Sequence, residues 1–529
     1  MRLTTWGRVV VALFVVGILA SAARADDLSD KIERMEQELN EMKRELQAQK
    51  EAQQKAAAEQ QEREKRAQEK EAQEKQAREE APKATAGADY HALLDRVKVG
   101  GYGSMRFEAS DLEQQKNEFV FRRFVLTTDA NIATRLRAYF ELEFERFRTL
   151  EVEKTVQPTQ AGLGAEQAIE ATNNSEISLE QAWLQYDIQD WLRFRAGGVL
   201  VPLGRFNINH DDNRWDLPRR TLVDRGVPVL PSTAAWDEVG AGFLGDVPLT
   251  DDALLSYQLY VMNGVALDSE FENVVEPGNP NRVVTEVKLS PSTGGFAGDV
   301  KDSKAVAGRI AISPKLGSEI GASWYYGQYT PDFLGNEDLW SLGLDGLSGY
   351  GPFEVEAEGI FTRFDGTVNV AKQLAQVAVN QSSVSSDPSV ESEIEYELAQ
   401  LARNKYGYWI ETRYRFWPAF LTNTFLGRSF SNPQLIAVFR AEQAWLDSLV
   451  QEVDFSGTTL TAFDTTNRRV DRFTVGLAYR PVPLVVFQLA YEYTQTNAGQ
   501  SLAGVTNYLP AQPGEDHVNF VMVGTAFGF

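Results

Sequence analysis

The sequence predicts an all-β membrane protein: a 16-stranded antiparallel transmembrane β-barrel preceded by an α-helical coiled-coil stalk. Three observations predict it. The long apolar run lies at the extreme N-terminus. From about residue 96 onward, apolar and polar residues alternate with period two. The connections between the alternating segments are short and long in turn, as in outer-membrane barrels.

Arg2 and Arg8 precede the apolar run "VVVALFVVGILA" at 9–20, and Ala23-Arg24-Ala25 has the A-x-A form of a cleavage site. Residues 1–25 therefore read as a secretory signal peptide cut after Ala25. The run is shorter than the roughly 20 residues that cross a bilayer as a helix. No later run matches it, so the exported chain is either soluble or a β-barrel.

Residues 26–80 read as the stalk. Leu28, Ile32, Met35, Leu39, Met42 and Leu46 are spaced 4-3-4-3-4, the a/d seam of a coiled coil. Beyond Gln49 the same register meets Gln53, Ala56, Gln60, Arg63 and Ala67. So polar a seam associates weakly by itself and needs a larger domain to bring chains together; a single charged helix is the alternative. Pro and Gly make 81–96 a linker to the barrel at 97–529.

Composition narrows the chemistry. The 529 residues contain no cysteine, which removes disulfides and thiol catalysis, and a net charge of −23 argues against nucleic-acid binding. His91, His210 and His517 lack metal-ligand spacing, so neither metal nor cofactor is expected. A hydrolase reading would rest on His210, and no GxSxG-like elbow accompanies it. The chain is not expected to be an enzyme.

The strands carry the main signal. In 134–144, Leu136, Ala138, Phe140, Leu142 and Phe144 share one face; Arg135, Arg137, Tyr139, Glu141 and Glu143 share the other. In 475–493 two strands flank a proline turn, and Val485, Phe487, Leu489, Tyr491 and Tyr493 lie on one side. Short connections fall at 128–133, 189–191, 313–318 and 480–483. Long ones cover roughly 147–176, 202–237, 263–303, 364–403, 447–468 and 495–515. The connection at 111–117 is shorter, and that at 418–433 longer, than this alternation expects. The last strand puts Val521, Val523, Thr525, Phe527 and Phe529 on one face, with Phe527 and Phe529 as a terminal assembly signal.

Several segments carry a resemblance. "RFRAGGVLVPLGR" (193–205), "WDEVGAGFLG" (236–245), "YQLYVMNG" (257–264), "AVFRAEQAWLD" (437–447) and the 476–493 hairpin are similar to the phosphate-selective porin O and P family. The resemblance implies a trimeric 16-stranded porin whose third extracellular loop folds inward as a constriction. It also implies preference for phosphate or pyrophosphate through lumenal arginines and lysines. Here the third loop, about 202–237, holds Arg205, Arg214, Arg219, Arg220 and Arg225 beside Asp211, Asp212, Asp216, Asp224 and Asp237, without a lysine. That absence departs from the family pattern.

A charge facing lipid at mid-bilayer costs about 2–4 kcal/mol, so charged strand positions default to the lumen. This nominates Arg106, Arg135, Arg137, Arg193, Arg195, Arg309, Arg413, Arg415 and Arg440. It also nominates Glu108, Glu141, Glu143, Glu180, Glu354, Glu356, Glu358, Glu411, Glu442 and Glu492. Arg122 and Arg123 cannot both face inward without a bulge. Three readings of the arginines stay open: structural pairing with glutamates, a general anion bias, and a phosphate site.

The function expected is an outer-membrane porin of a Gram-negative-type bacterium, passing small hydrophilic solutes, with anion or phosphate preference an added expectation. Its partners would be outer-membrane lipid, permeant ions and two further copies of itself. The alternative is a structural envelope protein, in which the barrel anchors a periplasmic coiled coil that contacts the cell wall or a periplasmic protein.

Overall fold

A computed structural model describes residues 96–529 except 113–115, 146–149, 160–161, 172–175, 225–228, 232–234, 276–281, 293–300, 333, 382–390, 397–401, 457–458 and 498–515. The expected signal peptide, stalk and linker up to residue 95 lie outside the described residues.

Sixteen strands close into one antiparallel barrel. In ring order they begin with β1 (Val97–Ser110), β2 (Glu118–Ala133), β3 (Leu136–Glu145), β6 (Glu176–Gln189), β7 (Leu192–Leu200), β8 (Asp237–Pro248), β9 (Leu254–Met262) and β12 (Ala305–Lys315). They continue with β13 (Ser318–Gln328), β14 (Asp338–Tyr350), β15 (Phe353–Phe364), β17 (Ala402–Phe416), β18 (Gln434–Ser456), β19 (Thr459–Val482), β20 (Val485–Thr496) and β21 (His517–Gly528). The seam closes where β21 pairs with β1, from Tyr102 opposite Gly528 to Ser110 opposite Phe520. Beyond the strand end, Phe529 N–H donates to Gly101 O at 3.0 Å.

Five strands lie outside the ring. β4 (Leu150–Thr159) and β5 (Gly162–Ala171) form a separate hairpin; β10 (Ala266–Val275) pairs with β11 (Arg282–Ser292); and β16 (Glu391–Tyr396) bridges β11 and β18. These occupy long connections at the barrel end opposite Val97 and Phe529. One expected long connection is absent: at 447–468 the chain continues as β18 and β19 to residues 456 and 459.

Side-chain burial is the reverse of a soluble sandwich. Phe140, Leu142, Ile310, Leu344, Ile410, Phe439, Phe487 and Val523 are exposed on the outer face. On the same strands Glu141, Glu143, Arg309, Glu411, Arg440 and Glu492 are buried on the inner one. Exposed Trp191, Tyr350, Phe353, Tyr414 and Phe529 mark the rim at the terminal end, where aromatic rings match a membrane interface.

The inward phase of β2 needs a bulge, and one is present. Ser104 pairs with Arg123 and Met105 with Phe121, so Arg122 has no opposite residue. Both arginines are consequently buried.

The apolar core sits inside the barrel. It joins Val199, Val201, Leu203, Leu222, Val223, Leu230 and Trp236 to wall residues such as Tyr260 and Trp409. Val370, Ala371, Leu374 and Ala375, from the α-helix Thr367–Gln381, complete it.

Candidate functional site

The 201–236 connection between β7 and β8 runs through the lumen. Strand pairing stops at Pro202, which has no N–H to offer. Gly204 then turns the chain inward at φ 75°, and a Cβ there would come within 2.8 Å of the Glu358 carboxylate. The close approach lets Phe206 N–H donate to Glu358 Oε2 at 2.8 Å and Gly204 N–H to Ser323 Oγ at 3.0 Å. α1 (Arg205–Ile208) and the 3₁₀ turn Asp212–Arg214 follow. Asn207 closes the base: its Nδ2 donates to Val201 O (2.8 Å) and Trp236 O (3.1 Å), and its Oδ1 accepts from Trp236 N–H (2.9 Å).

Charged wall residues strap the connection. Arg219 Nη1 lies 2.7 Å from Glu492 and Nη2 lies 2.9 Å from Glu108. Arg440 donates to Arg219 O at 2.9 Å, Arg472 to Arg220 O at 2.6 Å, and Arg480 to Asn213 O and Trp215 O at 2.9 Å each. Arg480 also pairs with Asp216 at 2.7 Å. Leu222 N–H donates to Glu442 at 2.8 Å, and Ser104 Oγ to Asp212 at 2.5 Å. Arg220 lies 3.4 Å from Asp224. The straps thus reach β1, β13, β15, β18, β19 and β20.

The loop's own charges are shifted accordingly. Burial disfavours ionised Asp212, but Arg123, Arg122 and Arg220 outweigh it and hold the carboxyl well below the usual carboxylate range. For Arg219, burial is outweighed by Glu492 and Glu108, which raise its pKa further. Burial pushes His210 toward the neutral form, yet the Glu180 carboxylate holds its pKa up at about 9.

The nominated wall arginines mostly meet acceptors. Arg106 pairs with Glu108 and donates to Pro218 O at 3.2 Å. Arg137 grips Asp129 with two 2.7 Å bonds, and Arg193 meets Asp246 at 2.6 Å. Arg195 donates to Gln185 at 2.7 Å and stacks 3.9 Å from the Trp183 ring centre. Arg309 pairs with Asp345 and, at 2.8 Å, with Glu319. Arg413 meets Glu354 at 2.6 Å, Glu356 at 2.7 Å and also Glu411; Arg415 meets Glu354 at 3.1 Å and Arg440 meets Glu411 at 2.6 Å. In the connection, Arg205 joins Glu319 and Glu356 at 2.8 Å each, and Arg214 joins Asp211 at 2.8 Å. Arg225 lies outside the described residues.

One nominated residue is elsewhere. Arg135 is not on the wall: it occupies the β2–β3 turn at φ 68° and donates to Ile188 O in the next turn at 2.8 Å. Alternation was extended one residue past the strand, into a left-handed turn position. Sequence reasoning also missed Arg472 and Arg480. Both share the inward face of β19 with Val470, Thr474 and Ala478, so the period-two pattern contained that signal.

Beneath the connection, toward Gly101 and Phe529, lies a cavity of about 820 Å³. Its lining includes six arginines (205, 214, 413, 415, 440 and 480) and five carboxylates (Glu141, Asp211, Asp216, Glu354 and Glu356). The opposite mouth holds a cavity of about 680 Å³ lined by Arg469, Asp471, Tyr493 and His517, among others. Both ring nitrogens of His210 have a neighbour: Nδ1 meets Asn207 O at 2.8 Å and Nε2 meets Glu180 at 3.3 Å.

No known family profile matches the chain. An uncharacterized protein of Aquifex aeolicus (strain VF5) is 23% identical over 409 residues, covering 77% of each chain. Among solved structures, an anion-selective porin from Comamonas acidovorans aligns over 82% of this chain and 99% of its own, at 9% identity and a TM-score of 0.43. The outer membrane channel DcaP of Acinetobacter baumannii aligns over 82% and 97%, at 9% identity and a TM-score of 0.42. Salmonella typhi OmpF, in complex with daunomycin, covers 82% and 97% at 10% identity and a TM-score of 0.43.

Proposed function

We propose that the chain is an outer-membrane porin, a passive channel for small hydrophilic solutes that works as a homotrimer. One observation carries the reading: a closed 16-strand ring with apolar side chains exposed outside and ionisable ones buried inside. An apolar exterior suits lipid, and closure leaves no strand edge unpaired in it. The 201–236 connection is the constriction, because it spans the lumen and holds wall residues from several strands.

The arginines act first as structure. Six arginines face five carboxylates in the cavity below the connection, and wall arginines bond carboxylates or backbone carbonyls. Guanidinium groups already held this way are poor rungs for a phosphate ladder. The channel is therefore weakly selective, with any anion preference coming from the small surplus of arginine.

Purified protein in planar bilayers should give discrete conductance steps, and a salt gradient should give a reversal potential near zero or slightly anion-selective. Absence of steps would remove the channel reading. Strong cation selectivity would remove the arginine surplus as its determinant.

A further inference from the structure

One buried cluster joins two carboxylates and a histidine, with Arg123 Nη1 4.0 Å from Glu180 Oε1. Glu141 on β3, Glu180 on β6 and His210 in the connection each offer a ligand atom, and these atoms lie within 4.8 Å of one another. All three residues are buried, at 2%, 4% and 1% exposure. Among the described residues, this is the one mixed histidine and carboxylate group with such spacing.

The surroundings preset these atoms. The Asn207 carbonyl 2.8 Å from His210 Nδ1 accepts a hydrogen bond from Nδ1–H, so Nε2 is the atom turned toward Glu180 Oε2 at 3.3 Å. Two lone pairs facing each other need a cation between them: a proton or a metal ion. Glu141 is oriented by Gln181 Nε2 at 2.5 Å and Tyr139 OH at 3.3 Å, both on Oε2. Such donors to a ligand carboxylate are the outer shell metal sites use.

An independent observation points to the same place. The Tyr102 hydroxyl is 4% exposed and has no hydrogen-bond partner. With Glu141 it lines the cavity below the connection. A water molecule on a bound ion would satisfy it, and the cavity gives the ion its way in.

We propose that Glu141, Glu180 and His210 bind one divalent transition-metal ion of the zinc class. Two carboxylate oxygens and an imidazole nitrogen suit zinc, whereas calcium takes six to eight oxygens. The ion ties the connection to β3 and β6, a side of the lumen away from the Arg219 clamp.

Folded full-length protein in detergent, stripped with chelator and dialysed against zinc, should retain about one ion per chain by elemental analysis. The near-isosteric Glu141→Gln should weaken zinc by tenfold or more in competition with a chromophoric chelator. His517→Gln, at the opposite mouth, should leave it unchanged. In case Glu141→Gln does not fold, a readout on wild-type protein decides: zinc should move the ¹⁵N resonances of His210 while those of His517 stay in place. No stoichiometric zinc in the wild type would overturn the site and leave His210–Glu180 as an ion pair. Binding by Glu141→Gln as tight as wild type, or a shift confined to His517, would overturn it equally.

Discussion

Arg219 in the inward connection bonds Glu492 on β20 at 2.7 Å and Glu108 on β1 at 2.9 Å, so one guanidinium clamps two wall strands that flank β21. All three side chains are buried. Arg219→Met leaves Glu108 to Arg106 alone and Glu492 to Arg472, 3.8 Å away, and breaking a buried pair costs up to about 3–5 kcal/mol. The expected result is a lower melting temperature with a larger, noisier single-channel conductance. Adding Glu492→Gln to the same chain should recover part of the stability. Unchanged melting in the single variant would mean that the clamp does not hold the connection.

Gly204 is required for two separable reasons. Its φ of 75° suits glycine, and a Cβ would sit 2.8 Å from the Glu358 carboxylate. Gly317, in the β12–β13 turn, has φ 77° and nothing within 4 Å of a Cβ. Gly317→Ala should therefore carry the backbone cost alone, about 1–2 kcal/mol. Gly204→Ala should cost more and also release the Phe206 N–H bond to Glu358. Hydrogen exchange at Phe206 checks this; equal effects at the two sites would remove the steric argument.

At the other end of β1, Asp111 accepts from Asn519 N–H at 2.9 Å and from Asn519 Nδ2 at 2.5 Å. Slight burial favours its neutral form, but the Asn519 donors outweigh it and lower the pKa below the ordinary 3.8. A lowered carboxyl pKa gives stability that is present above 3.8 and lost as pH falls through the shifted value. The Asn519 amide protection factor should stay level from pH 7 to 5 and fall below pH 4. Asp111→Asn should abolish that fall. The same fall in the variant would assign it to another group.

The strands were legible because alternation is a property of the pleated backbone. Phe487, Leu489 and Tyr491 face out, and Gln488, Ala490 and Glu492 face in, wherever their neighbours lie. The extension of β18 and β19 to residues 456 and 459 was not legible. Its sequence, with Gln451, Asp454 and Thr459, lacks a lasting apolar face, yet backbone pairing needs none. The inward path of the connection was hidden for a different reason. Its partners are remote: Arg219 meets Glu108 and Glu492, 111 and 273 residues away, and no local spacing encodes that choice. The triad of Glu141, Glu180 and His210 was equally hidden, because it is assembled from two strands and a loop.

The bulge at Arg122 gives the sharpest test of strand phase. Before it Phe119 and Phe121 face out; after it Arg123 and Val125 face in. Deleting Arg122 leaves Phe121 outward and Arg123 inward as ordinary neighbours, so both faces keep their character. The barrel should still fold, losing chiefly the 3.6 Å contact to Glu145. Deleting Phe121 instead puts Arg122 in the outward position, where a lipid-facing arginine costs about 2–4 kcal/mol near the midplane. Heat-modifiable gel migration and melting temperature distinguish the two: the first deletion should stay close to wild type, and the second should fold poorly. The reverse order would show that Arg122 itself, rather than the phase change it permits, keeps β1 and β2 together.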